Sequence, residues 1–148
     1  MEIASFLVKA KKNTYASGKK PTILDDGFEE FIYEENGYKY RDRYRAQDPK
    51  PFGGEEVVWH NGTAVWIMNY YAYGISEDMD SEKVYEFLRK AMSLVSENNP
   101  FRGPLNLKEG DFEYKNETKG EINNFKGTEK IFFKGKEIYS LEYHGGNL

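Results

Sequence analysis

At 148 residues, with 39% apolar and 31% charged residues, the chain has the length of one domain, and a chain of this size buries roughly 68–70% of its unfolded surface without help from metal or disulfide. The absence of cysteine excludes a disulfide framework, a thiolate zinc site and a cysteine nucleophile. A net charge of −4 and a pI of about 5.3 argue against broad binding to nucleic acid or anionic membrane.

The opening MEIASFLVKAKK carries its acid first and its bases last, the reverse of a signal peptide. No apolar run approaches the roughly 20 residues of a membrane span. A soluble cytoplasmic protein, monomer or homodimer, is expected, with no membrane partner. Mean hydropathy is −0.82. The 12 Tyr, 10 Phe and 2 Trp nevertheless supply bulk for an aromatic core.

Residues 2–14 read as a first helix, with Ile3, Phe6, Leu7, Ala10 and Thr14 on one face. Glu2 near its start and Lys9, Lys11 and Lys12 near its end suit the helix dipole. A polar stretch from Ser17 to Gly27 follows as a loop. Phe28 to Arg45 reads as a hairpin around Asn36-Gly37, pairing Glu34 with Lys39, Ile32 with Arg41 and Glu30 with Arg43. The other face carries Phe31, Tyr33, Tyr40 and Tyr44 with Glu29 and Asp42, which leaves Asp42 as a carboxylate between tyrosines. Gln47 to Gly54 reads as a turn-rich connection.

Glu55 to Tyr73 is the centre of the pattern, a second hairpin around Asn61-Gly62. A regular register sets Trp59 opposite Ala64, Val58 opposite Val65, Glu56 opposite Ile67 and Glu55 opposite Met68. One face then holds Val57, Trp59, Trp66, Met68 and Tyr70, with Glu55 at its edge. The other holds Val58, Val65, Ile67, Tyr71 and Tyr73. Both are apolar, so both should be covered. Asp78, Asp80 or Ser81 caps a second helix to about Glu97, striped by Val84, Phe87, Leu88, Ala91, Leu94 and Val95. Four strands follow: 112–117, 122–125, 130–133 and 137–144. Gly135-Lys136 reads as a type II′ turn that sets Lys134 opposite Glu137. The whole predicts one domain, residues 1–148, of the α+β class. Its core is a strongly bent antiparallel sheet of about 7–8 strands, covered by two helices at about 2–14 and 80–97.

Several residues invite a chemical reading, each beside a plainer one. Burial of Asp42, Glu55 or Glu29 would raise a carboxylate pKa, as in a general acid; the alternative is a carboxylate satisfied by tyrosine hydroxyls, Arg102 or backbone amides. His60 beside a turn reads as surface, and His144 precedes two glycines that admit a close approach of backbone or ligand. Two histidines without cysteine make no three-histidine zinc centre, and no metal or cofactor is expected. Lys39, Arg41, Arg43 and Arg45 beside tyrosines resemble an RNA-stacking face, but Glu34 and Glu30 neutralise them. Trp59, Trp66, Tyr70, Tyr71 and Tyr73 line either an aromatic pocket or a core, and Asn69 among them needs partners.

The stretches FLVKAKKNTYA (6–16), YRDRY (40–44), GEEVVWHNGTAVWIMNYY (54–71), FRGP (101–104), GDFEY (110–114), FKGTEKIFFKGKEIY (125–139) and HGG (144–146) are together similar to a bacterial family defined only as domain of unknown function 5680. Ala64 stands where that family usually has proline, and Phe101 where it usually has tyrosine. In similar proteins the domain occurs alone or behind a helix-turn-helix segment, which implies ligand sensing or partner binding in regulators. This chain begins at the domain's first helix, so no DNA-reading arm and no nucleic-acid partner is expected. The resemblance places Tyr40, Asp42, Glu55, Trp59, Trp66, Asn69, Tyr70, Arg102 and His144 at family motif positions.

The leading expectation is a module that takes a small molecule or short peptide on the aromatic sheet face. Arg102 and His144 would hold a polar or anionic group, and Trp59 or Tyr70 would stack on it. The alternatives are a small hydrolase-type enzyme using Asp42 or Glu55 with His144, and a protein-interaction or immunity-type partner.

Overall fold

A computed structural model describes residues 2–148. Nine strands form one antiparallel sheet in the order β1-β2-β3-β4-β5-β9-β8-β7-β6, not closed into a barrel. They run β1 Thr22–Ile23, β2 Glu29–Glu35, β3 Tyr38–Arg45, β4 Phe52–His60, β5 Thr63–Ile75, β6 Asn106–Glu109, β7 Phe112–Glu121, β8 Asn124–Phe133 and β9 Lys136–Asn147. Helices α1 (Ile3–Asn13) and α2 (Ser81–Met92) pack on one face, joined there by a 3-10 turn at Tyr15–Ser17. No described helix is long and apolar enough to cross a membrane.

The expected α+β class and the antiparallel sheet under two helices are what the chain adopts. Three boundaries differ for physical reasons. Helix α2 ends at Met92 rather than near residue 97. The Ser93 hydroxyl donates to the Lys90 carbonyl at 2.6 Å, and Leu94, assigned to the apolar stripe, is half exposed. Its start is capped by Asp80, which accepts from the backbone N–H of Glu82 and Lys83. The expected strands 122–125 and 130–133 are one strand, β8, because Gly127 is not a break. A Cβ there would stand 2.0 Å from the Tyr143 ring, so the glycine is a hole that lets Tyr143 lie flat across β8. The last hairpin turns on Lys134-Gly135, both at positive φ, one residue earlier than expected. Lys136 therefore pairs with Phe133, and Glu137 with Phe132.

The first hairpin pairs as its sequence implies: Glu34 with Lys39, Ile32 with Arg41 and Glu30 with Arg43. The central hairpin does so only near its turn. His60 pairs with Thr63 and Trp59 with Ala64, but a bulge then leaves Val65 extra and sets Val58 opposite Trp66. Below the bulge β4 is inverted relative to a regular register. Val58, Glu56 and Gly54 share the helix-covered face with Trp66, Met68 and Tyr70. Glu55, Val57 and Trp59 face outward. Strand β4 also starts earlier than expected, at Phe52, and takes in Gly53-Gly54.

The inner face builds one core. Trp66 is fully buried, stacked on Phe125 at 5.7 Å between centroids, and donates from Nε1 to the Ile122 carbonyl. Helix α1 contributes Phe6, Leu7 and Ala10, and α2 contributes Val84, Phe87, Leu88 and Ala91, all buried. Strand β9 closes against β5 through Gly145. A Cβ at this position would lie 2.0 Å from the Ile67 carbonyl oxygen and 2.8 Å from Met68 Cα, both rigid backbone. The two glycines after His144 thus admit a neighbouring strand.

Gly145→Ala should destabilise the protein by about 1–3 kcal/mol, the usual range for overpacking. The exposed His144→Ala should stay within about 0.5 kcal/mol of the parent. Urea unfolding followed by tryptophan fluorescence separates the two.

Candidate functional site

Alternation along β3 and β4 brings two carboxylates face to face. Asp42 is the Cα partner of Glu56 across the two strands, and both side chains point under the helices, 5% and 2% exposed. Like charges directly opposite one another in a sheet repel. Each is answered differently. Lys11, from the buried edge of α1, donates to Glu56 Oε1 at 2.6 Å and to the Phe101 carbonyl at 2.6 Å. The Tyr40 hydroxyl also donates to Glu56 Oε1, at 2.6 Å. Asp42 receives the Tyr70 hydroxyl at Oδ1, 2.5 Å away. Among the described residues its Oδ2 accepts nothing. Tyr70 reaches across β4 only because Gly54 lies beneath it: a Cβ there would sit 2.4 Å from the tyrosine oxygen.

On the far side of the same face Glu129 of β8 is completely buried. Arg102 grips it twice, from Nε to Oε1 at 3.2 Å and from Nη2 to Oε2 at 2.8 Å. The hydroxyls of Tyr114 and Tyr139 complete the set at 2.6 and 2.8 Å. Four donors satisfy one carboxylate, the condition under which a buried ion is tolerated. The guanidinium lies 5.5 Å above the Tyr70 ring. Asn116 donates to the Gly103 carbonyl and accepts from Tyr143, and the Gly103 N–H donates to the Tyr114 hydroxyl, so the FRGP segment is held on three sides.

These groups line a cavity of about 310 Å³ between sheet and helices. Lys11, Tyr40, Asp42, Glu56, Tyr70 and Arg102 form its floor. Its walls include Tyr15, Tyr44, Phe52 and Tyr85, while the exposed Asp48 and Arg89 stand at its mouth. Burial, and then the charge of the neighbouring Asp48, raise the Tyr85 hydroxyl.

Burial, and then the charge of Glu56, push the Asp42 carboxyl up to about 7, against the opposing pull of Tyr70, Lys11 and Arg102. Burial also lowers the Lys11 ammonium despite the attraction of Glu56. Tyr40 and Tyr70 are raised well above their ordinary value, first by burial and then by the two carboxylates, so both remain donors. Burial works against the charge of Arg102, but Glu129 outweighs it and the guanidinium stays firmly protonated.

Of the residues singled out from sequence, the structure gathers Glu29, Tyr40, Asp42, Tyr44, Tyr70 and Arg102 at this cavity. It does not gather the others. Trp66 is core. Glu55, Trp59, Asn69 and His144 lie on the outer face, where Glu55 pairs with Asn69 and Asn69 with His144. Glu55 is within 3.9 Å of Arg41, and the Arg41 guanidinium lies 5.2 Å from the Trp59 ring. The bulge is the reason: it turned Glu56 inward and Glu55 outward. Asp42, Glu55 and His144 therefore do not converge, and Arg102, committed to Glu129, does not share a site with His144.

Sequence reading missed Lys11, Glu56 and Glu129. Lys11 stands four residues after Leu7 and three before Thr14, so helical spacing already put it at the edge of the apolar stripe. Glu129 shares the inward parity of Phe125, Gly127 and Ile131, visible once β8 is taken as one strand.

A family model described as domain of unknown function (DUF5680) matches residues 42–148. The chain belongs to that family. The match opens at Asp42, so α1, β1, β2 and the first half of β3 precede the matched span. No curated protein and no solved structure matches the chain. Within the DUF5680 span lie Asp42, Glu56, Tyr70, Arg102 and Glu129; Lys11 and Tyr40 come from outside it.

Two outcomes follow. A carboxyl whose folded pKa lies near 7, above its unfolded value near 3.8, favours folding when protonated. That contribution is complete below about pH 4 and is lost as pH rises through about 7. Asp42→Asn keeps an oxygen for Tyr70 and removes the charge. It should raise stability at pH 8 by at least about 1.4 kcal/mol, the free energy of one pKa unit, and flatten the pH dependence between about 4 and 7. Chemical denaturation at several pH values reads this directly. Glu129→Ala, by contrast, leaves Arg102 buried and unpaired and should cost about 3–5 kcal/mol at every pH near neutrality.

Proposed function

We propose that this chain is a binding module for a small molecule, of the ligand-sensing kind found in bacterial regulators, and that its site is the cavity floored by Asp42, Glu56 and Tyr70. The observation that carries this reading is a hydrogen-bonding vacancy. Asp42 is nine-tenths buried and lines the cavity, yet among the described residues its Oδ2 has no partner. A buried carboxylate left half-satisfied lowers stability. Such groups persist where something else completes them, and strongly perturbed titratable groups in clefts are candidates for that role.

The volume of about 310 Å³ is at the small end of ligand pockets, which run roughly 300–1,000 Å³. Aromatic walls with a few convergent polar groups are the usual lining of such sites. The two helices cover the inner sheet face, which favours a small molecule over a peptide laid along the strands.

A second reading rests on the same Asp42. A carboxyl titrating near 7 is suited to proton transfer, so the module would be an enzyme acting on its ligand. Incubating an identified ligand with the protein and following it by NMR distinguishes turnover from binding.

A thermal-shift screen over metabolites tests the main reading. A ligand at a hundred times its Kd adds about 2.7 kcal/mol, or roughly 5–10 °C in Tm for a chain of this length. A screen that returns no stabiliser counts against the proposal.

A further inference from the structure

The charges around the cavity do not balance. Four carboxylates line it, Glu29, Asp42, Asp48 and Glu56, against three bases, Lys11, Arg89 and Arg102. Arg102 is already neutralised by Glu129, which is not part of the lining. Lys11 is committed to Glu56 at 2.6 Å. With Arg89 exposed at the mouth, the deep end of the cavity presents one uncompensated acid, Asp42, with a free oxygen. The aromatic groups around it are the other half of the pattern. One face of Tyr70 is occupied by Arg102, but Tyr15, Tyr44, Phe52 and Tyr85 offer further rings to the cavity. Aromatic faces attract cations and leave anions unassisted.

We propose that the ligand of this cavity is a small organic cation, a protonated amine or amidine on a planar or apolar body, whose N–H donates to Asp42 Oδ2 while its charge rests among the rings of Tyr44, Phe52 and Tyr85. This rests on the reading of the cavity as a ligand site. Tyr85, buried at its hydroxyl, lines the same cavity with Asp48 beside it. An anion has no comparable seat, since both deep cations already hold carboxylates. A neutral ring would fill the walls and leave Oδ2 bare.

The groups that face Asp42 decide the pH behaviour. They are Lys11 from α1, Tyr15 from the 3-10 turn, Tyr40 and Tyr44 in β3, Glu56 from β4, Tyr70 from β5 and Arg102 from the segment after α2. None of these bases is free to neutralise it fully. A cation should therefore bind the ionised carboxylate, and binding should release a proton near neutral pH.

The test uses the full chain at pH 8 with four probes of one shape: benzylamine, benzamidine, benzyl alcohol and benzoate. Tm should rise with the amine and the amidine and stay unchanged with the alcohol and the carboxylate. Affinity measured by calorimetry should fall by about tenfold or more at pH 5 and in Asp42→Asn, as expected for the loss of one charge partner. In the unsubstituted protein, amide resonances of Glu56 and Tyr70 should move on titration while those of Trp59 and His144, on the opposite face, stay fixed. No shift from either cation at pH 8 overturns the inference. So does a neutral or anionic stabiliser from the metabolite screen that maps to this cavity, although the binding reading then survives. A flat screen together with flat cation titrations removes both.

Discussion

A chain of buried charge runs across the inner face of the sheet, and the packing depends on it. Glu129 is held by Arg102, the residue before Arg102 offers its carbonyl to Lys11, and Lys11 closes on Glu56 and through it on Tyr40. The links join β8, the segment after α2, α1, β4 and β3. An isolated ion at this depth would be prohibitive, and each ion here is tolerable only because the next supplies its donor or acceptor. Local distortion at one link leaves another charge bare, so α1 and the 101–104 segment cannot leave the sheet independently. Asp42 is the exception. It sits beside this chain, opposite Glu56, and receives a single tyrosine.

That exception gives the cavity its character. A pocket lined only by satisfied groups is a packing defect. A pocket with one acid left incomplete has a preferred occupant. Gly54 contributes by absence, since the missing side chain lets Tyr70 cross β4 and fix one oxygen of Asp42 in place while the other stays open. The carboxylate is thereby held in one orientation, and under the proposed reading that order would lower the entropy a ligand loses on binding.

Much of this was legible in the residues, and the failures have specific causes. Asn36-Gly37 and Asn61-Gly62 marked both hairpins because their turns demand positive φ, which the structure has at all four positions. Asp42 stood out as a carboxylate among inward tyrosines, and it is buried there. The exchange of Glu55 for Glu56 came from one extra residue, Val65. The two glutamates are adjacent, one of each parity, so no alternation in the sequence reveals which of them faces inward below the bulge. Gly53-Gly54 reads as part of a turn and 126–129 as a gap between strands, where Gly54 and Gly127 instead make room for tyrosine rings from the neighbouring strand. Long-range partners were beyond local pattern altogether: Lys11 and Glu56 are 45 residues apart.

The first helix looks like an accessory, since the family match begins only at Asp42. Its lysine says otherwise. The matched span contains both facing carboxylates but neither Lys11 nor Tyr40, the two groups that quiet one of them. Residues 42–148 are thus an acid pair without its counterion, and the charge balance of the fold extends beyond the stretch by which the family is recognised. In this protein the N-terminal helix is the charge-balancing half of the domain.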